Sequence, residues 1–138
     1  MIKDIIKDRK ILSMKSESFE FGKDDELIND LIDTANANKN NCLGLACVQI
    51  GVPKRLIVVR FKDNFYPFIN PNIVWKSSKS YIATERCLSI EEPQKVKRYA
   101  KIKVSYTTLD GKKVLKEYSG LQAQIIQHEC DHLYGILI

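Results

Sequence analysis

The stretch SGLQAQIIQHECDHLYG, residues 119–135, determines the fold that this sequence predicts. Ser119 and Gln122 have the spacing of a capping box, and Gly135 is a typical residue after the last turn of a helix. The apolar residues between them spread around more than one face of such a helix: Leu121, Ile125, Ile126 and Leu133. We therefore expect a C-terminal helix that is packed inside the protein rather than laid on its surface.

Both histidines of the chain lie on this predicted helix, at His128 and His132. A spacing of four residues places them about 40° apart on one face and one turn along, so both rings can bind a single metal ion. Glu129 flanks the same face, which completes the His-Glu-x-x-His pattern in which the glutamate acts as a general base beside a metal. The pattern predicts a metal site on the helix.

A catalytic site of the zinc type usually has three protein ligands and leaves one position for water. No histidine remains, few residues follow the helix, and Cys130 points away from the histidine face. The remaining candidates are Cys42, Cys47 and Cys87. Cys87 is favoured because it lies in the extended stretch 81–89, where a thiolate at a strand end can face the helix; an ordinary buried thiol is the alternative.

The rest of the sequence predicts one further helix and several strands. Residues 25–38 have apolar positions three and four apart, which indicates an N-terminal amphipathic helix. The extended candidates, the second of them interrupted or turned at Asn70-Pro71, are 55–61, 68–76, 81–89, 101–109 and 113–119. Asp110-Gly111 joins the last two as a hairpin. We expect the α+β class, with antiparallel strands packed around the C-terminal metal-binding helix.

Length and composition predict one domain over residues 1–138, of which 44% are hydrophobic. No long apolar run is present, so we expect a cytoplasmic protein with no membrane partner and with its four cysteines reduced. The net charge is +5. Lysines of the basic segment alternate with Ile102, Val104 and Tyr106, as on the exposed side of a half-buried strand, so no specific nucleic-acid partner is expected.

Three segments resemble, in order and spacing, the motifs of the peptide deformylases. They are GLACVQ (44–49), ERCLS (85–89) and QHECDHL (127–133). The similarity also includes the opening MIKDII and the predicted strand VKRYAKIKVSY, so it covers essentially the whole chain.

The resemblance implies a metal site made by Cys87, His128 and His132, with Glu129 as the general acid and base. It implies one divalent ion, Fe2+ in the cell, which Zn2+, Ni2+ or Co2+ can replace. A thiolate ligand is prone to oxidation, so we expect sensitivity to air.

The resemblance also implies how substrate is held. The Gln49 amide and the Leu88 backbone N–H would bind the formyl oxygen, and the backbone around Gly44 would pair with an extended peptide. The implied reaction removes the N-formyl group from the N-terminal methionine of nascent peptides and releases formate. A further helix, implicated in ribosome docking in typical bacterial members, would lie beyond Ile138, so only weak ribosome association is expected.

The chain departs from the family pattern at a few positions. Arg86 replaces a glycine where substrate passes close, Cys42 replaces the first glycine of its motif, and Cys47 replaces an alanine. Arg86 has three possible arrangements: it points to solvent, it pairs with Glu85 or Glu91, or it narrows the cleft. Two alternative functions follow, a weak or inactive deformylase-like protein that binds metal or peptide with its cleft altered by Arg86, and a metallopeptidase that cuts internal peptide bonds.

Overall fold

The chain forms three α-helices and seven β-strands, and the computed structural model describes all of residues 1–138. The helices are α1 (Arg9–Leu12), α2 (Glu26–Ala37) and α3 (Gly120–Leu133). The strands are β1 (Gly44–Ala46), β2 (Leu56–Phe61), β3 (Asn64–Lys76), β4 (Ser80–Glu85), β5 (Gln94–Tyr99), β6 (Lys101–Thr107) and β7 (Lys113–Ser119). Short 3-10 turns at Lys39–Asn41 and Cys47–Ile50 flank β1.

Antiparallel pairing organises the strands into two sheets. One sheet has the order β1-β2-β3-β6-β7, and the other is the β4-β5 pair. Strand β1 is an edge strand that pairs only with β2, so its other edge has no strand partner. Separate helices packed on antiparallel sheets confirm the α+β class.

Strand β2 is buried on both faces, which explains its continuous apolar sequence. Ile57 and Val59 pack in a cluster with α3, whereas Leu56 and Val58 pack in a second cluster with α2. Helix α3 is itself buried at nine of its fourteen residues. Its position inside the protein is therefore as predicted, and both histidines are buried.

The predicted capping box at the start of α3 is wrong. Ser119 is the last residue of β7 and keeps an extended backbone, and its side chain makes no capping hydrogen bond. Gly120 takes a φ of +61°, which turns the chain from strand into helix at that point.

The interruption predicted at Asn70-Pro71 is a bulge inside one long strand. β3 continues through it with a register shift between Ile69 and Asn72. Asn70 takes a φ of +50°, and its side chain accepts from the N–H and donates to the C=O of Phe19. These two bonds hold the bulge in place.

Two other predicted boundaries also change. The stretch predicted as extended over 81–89 is β4 only as far as Glu85, and Cys87 lies in the loop after the strand. The predicted strand VKRYAKIKVSY is two strands, β5 and β6, in different sheets. None of the helices combines the length and the apolar composition that crossing a membrane requires.

Candidate active site

Three predicted metal ligands meet between the loop after β4 and the buried helix α3. The ligand atoms of Cys87, His128 and His132 all lie within 4.8 Å of one another. The Cys87 sulfur is 3.4 Å from Nε2 of His132. The two imidazole rings have centroids 5.1 Å apart because they are one helical turn apart on the same face.

This donor set fits a divalent transition metal. Typical metal–sulfur and metal–nitrogen bond lengths in tetrahedral geometry separate the sulfur from a ring nitrogen by about 3.6 Å, close to the distance between Cys87 and His132. Burial and repulsion from His128 lower the pKa of His132 to about 3, so this ring is neutral at pH 7 and has a lone pair for a metal. Three protein ligands also leave a position for water or substrate, as in catalytic sites.

A buried ion-pair chain orients His128. Its Nδ1 lies 2.8 Å from Oε1 of Glu85, so Nε2 is the ring nitrogen that remains to bind a metal. Both oxygens of Glu85 also accept from the guanidinium of Arg98, at 2.8 and 2.7 Å. Arg98 donates in turn to Asp131, at 2.6 Å. Burial raises the pKa of Glu85, but the bonds from Arg98 and His128 outweigh it and lower that pKa to about 2.

Arg98 is the site residue that the sequence analysis missed. It is 3% exposed, although it lies in a lysine-rich segment of the sequence. The alternation of β5 contained a signal: Lys95 and Lys97 are exposed, and Val96 and Arg98 face the other side. Asp131 is not part of the metal-ligand group, and its side chain is bonded to Arg98 instead.

Glu129 lies beside the metal-ligand group in an almost closed environment. It is 4% exposed, and its Oε1 has no hydrogen-bond partner in the protein. Burial raises the pKa of this carboxyl to about 7. A Cβ placed on Gly44 would be 2.9 Å from Oε2 of Glu129 and 2.8 Å from Cγ2 of Ile125, so only glycine leaves the carboxylate its space. A carboxyl of this kind can accept and return a proton near neutral pH.

Gln49 and Leu88 lie next to Cys87. Gln49 is 1% exposed; its Oε1 accepts from the Ala46 N–H at 2.9 Å, which fixes which way the amide faces. Its Nε2 donates to Ser89 Oγ at 3.1 Å and lies 3.4 Å from the Cys87 sulfur. The Leu88 N–H has no acceptor among the hydrogen bonds of the chain. Both predicted donors are therefore near the metal-ligand group, and their roles toward substrate stay predictions.

A cavity of about 560 Å³ opens onto this group. Its lining includes Gly44, Gln49, Cys87, Leu88, His128 and Glu129. Arg86 also lines it and is exposed. The ion pairs predicted as alternatives for Arg86 do not form, because Glu85 is bonded to Arg98 and Glu91 pairs with no cation.

A sulfur and two imidazoles are arranged to bind one ion, and a buried carboxylate lies beside them at the base of an open cavity. These features are typical of metal-dependent hydrolases. Residues 2–138 match the family described as Polypeptide deformylase. The peptide deformylase of Clostridium beijerinckii is 45% identical over 139 residues, which cover 100% of both chains. The chain belongs to the polypeptide deformylase family.

Solved structures agree with this assignment. The class I type b peptide deformylase from Acinetobacter baumannii, bound to Met-Ala-Ser, has a TM-score of 0.89 at 30% identity, with 99% of this chain and 97% of that chain covered. The Plasmodium falciparum peptide deformylase has a TM-score of 0.87 at 33% identity, with 99% and 83% covered. The predicted enzyme class is confirmed: this is a metal-dependent enzyme that removes the formyl group from an N-terminal methionine. The inactive alternative finds no support in the fold or the site.

Proposed function

We propose that residues 1–138 act as one domain that deformylates N-formylmethionyl peptides with the residues described above. Cys87, His128 and His132 bind the ion, and Glu129 acts as the general base and then the general acid. The observation that carries the proposal is the position of the Glu129 carboxylate, which is buried without a protein partner beside three metal ligands and next to a cavity.

The ion that we propose for the cell is Fe2+, with Zn2+, Ni2+ or Co2+ able to replace it. One thiolate and two imidazoles are donors that suit all four of these metals. When bound, the ion supplies Lewis-acid charge that makes water nucleophilic at neutral pH. The thiolate of Cys87 offsets part of this charge, and it makes the site open to oxidation.

The peptide would bind as an added strand. The outer edge of β1 has no strand partner, and the cavity lies at Gly44, the first residue of β1. An extended peptide can pair with such an edge through its backbone. The end of the peptide that carries the formyl group would then reach the metal-ligand group, between Gln49 and Glu129.

The residues of the chain then divide the chemistry between them. Glu129 accepts a proton from the attacking water, and the water oxygen bonds to the formyl carbon. Negative charge grows on the formyl oxygen, and the Gln49 amide and the Leu88 N–H stabilise it; one such donor is typically worth about 2.7–4 kcal/mol. The carbon–nitrogen bond breaks, Glu129 passes its proton to the leaving amine, and formate is released.

We place this activity in the cytoplasm, where cysteines stay reduced. We also propose a weak association with the ribosome, because formylated chains emerge there. The four free cysteines support a reducing compartment.

The test is formate release from formyl-Met-Ala-Ser by protein that has been loaded with iron without oxygen. We expect turnover in the parent and a loss of at least about a hundredfold in Glu129→Gln with its metal retained. Unformylated Met-Ala-Ser and an internal-bond peptide serve as controls for peptidase action. Absence of formate from the metal-loaded parent, or cleavage of the unformylated peptides, would contradict the proposal.

A further inference from the structure

The active-site cavity is bordered by three cations. Lys39, Arg60 and Arg86 line it, and the carboxylates that line it are Glu85 and Glu129. Both carboxylates are buried, at 7% and 4% exposure, so neither presents its charge at the mouth of the cavity. The mouth is therefore positively charged.

None of these cations is paired with an acid of the chain. The Arg60 guanidinium donates to the backbone oxygens of Lys62 and Lys39, both at 2.9 Å. Arg86 is next to Glu85 in sequence, but the oxygens of Glu85 are held by Arg98 and His128. The Arg86 charge is thus free to meet an anion that enters the cavity.

Of the three cations, Arg86 lies nearest in sequence to a metal ligand. It follows the end of β4 and precedes the ligand Cys87, so its backbone is one residue away from the metal-ligand group. The uncharged residues Thr84 and Gln124 also line the cavity, and neither can neutralise a guanidinium. Because Arg86 also lines the cavity, its charge borders the space that a bound peptide would occupy.

We propose that Arg86 makes this cleft selective for formyl peptides that carry an acidic side chain in the residues after formylmethionine. The inference rests on the proposed function and adds a substrate class to it. A carboxylate near the guanidinium gains a charge-assisted hydrogen bond, and a lysine at the same place is repelled. Because Arg86 is exposed, solvent screening limits the preference to about tenfold.

The experiment compares C-terminally amidated peptides, so that the only carboxylate is the one being tested. The series is formyl-Met-Asp-Ala-Ala and formyl-Met-Ala-Asp-Ala, each with Asn and Lys counterparts at the aspartate position. In the parent we expect kcat/KM for the better aspartate peptide to exceed its lysine counterpart about tenfold. The ratio should fall as the NaCl concentration rises from 50 to 500 mM, as screening requires.

Two variants of Arg86 and one matched control test whether Arg86 is the source of the preference. Arg86→Gln should reduce the Asp/Lys ratio to below about threefold, and Arg86→Lys should keep most of it. Lys112→Gln removes the same charge from the β6-β7 loop, outside the cavity, and should leave the ratio at the parental value. Thermal unfolding checks that each variant is folded.

A binding measurement separates this inference from the proposed function. Calorimetry needs no turnover and uses both pairs of amidated product peptides, Met-Asp-Ala-Ala against Met-Lys-Ala-Ala and Met-Ala-Asp-Ala against Met-Ala-Lys-Ala. At least one pair should show the preference in the metal-loaded parent. Equal binding within both pairs, or a preference that persists in Arg86→Gln, overturns the role of Arg86. Failure of the parent to release formate from every peptide contradicts the proposed function instead, and the binding ratio still decides the inference.

Discussion

Cys87 differs from the other cysteines of the chain in its surroundings. Cys42, Cys47 and Cys130 are 4%, 0% and 4% exposed, and burial raises the pKa of each thiol to about 12. Cys87 is half-buried and lines the active-site cavity. Because the thiolate is the nucleophilic form, burial and a raised pKa disfavour reaction at the other three thiols, whereas Cys87 is accessible from the cavity.

Native alkylation should therefore be selective. After chelation of any bound metal, we expect iodoacetamide at pH 8 to modify Cys87 and to leave the three buried thiols unmodified, as read by peptide mass spectrometry. Loading the protein with Ni2+ should slow this modification at least about tenfold, since donation to the ion makes the sulfur less nucleophilic and the ion shields it. Cys87→Ala should take no label until denaturant is added, and labelling of the native variant would contradict the assignment.

At the scale of elements, β1 and α3 approach so closely that a side chain at position 44 has no room. We expect Gly44→Ala to lower kcat/KM by about tenfold or more, because the new methyl group would displace the Glu129 carboxylate and Ile125. Overpacking of this kind typically costs about 1–3 kcal/mol of stability. Metal content should be unchanged, since neither contact is a ligand; normal activity would show that β1 can shift away from α3.

The ion-pair chain Glu85–Arg98–Asp131 joins β4, β5 and α3. Glu85→Gln leaves the buried Arg98 with only Asp131, so we expect a loss on the order of 3 kcal/mol in the unfolding free energy at pH 7. Because the pKa of Glu85 is lowered from 4.5 to about 2 on folding, this stabilisation is complete above about pH 4.5 and is lost as the pH falls toward 2.

Urea unfolding of the chelated protein at pH 7, 4 and 3 checks this dependence. The difference between the parent and Glu85→Gln should shrink at each step down in pH. Asp131→Asn is the matched control: its side chain is 26% exposed, so we expect a loss below about 1 kcal/mol. A difference between Glu85→Gln and the parent that is constant with pH would mean that the ion pair is not its source.

Sequence reasoning predicted the elements whose pattern is local. The α2 periodicity, the buried α3 and the Asp110-Gly111 hairpin are all present in the structure, and the ligand spacing in α3 follows from helical geometry alone. Strand β1 was missed because three residues carry no periodicity. The pairing of Arg98 with Glu85 was missed because it depends on which sheet β5 joins, and no local pattern contains that information.

At the scale of the whole molecule, the metal site links parts of the chain that pack separately. One apolar cluster holds α3 against the sheet, and the second lies between the sheet and α2. The loop that carries Cys87 contributes no residue to either cluster core, although Leu88 packs against the second one. The Cys87 sulfur lies 3.4 Å from His132 of α3 and 3.4 Å from the Gln49 amide. An ion bound by Cys87 and both histidines would thus tie this loop to the most buried helix.

Metal loading should consequently stabilise the folded protein as a whole. A ligand at 100 times its dissociation constant adds about 2.7 kcal/mol to the unfolding free energy, which corresponds to a rise in Tm of roughly 9 °C for a chain of this length. We expect a rise of that order on titrating Ni2+ into chelated protein, and its reversal by a chelator. The chain has only two histidines, both in the site, so no other imidazole pair competes for the ion. Cys87→Ala should lose most of the shift; an equal shift in that variant would mean that the ion binds elsewhere and would remove the metal site described here.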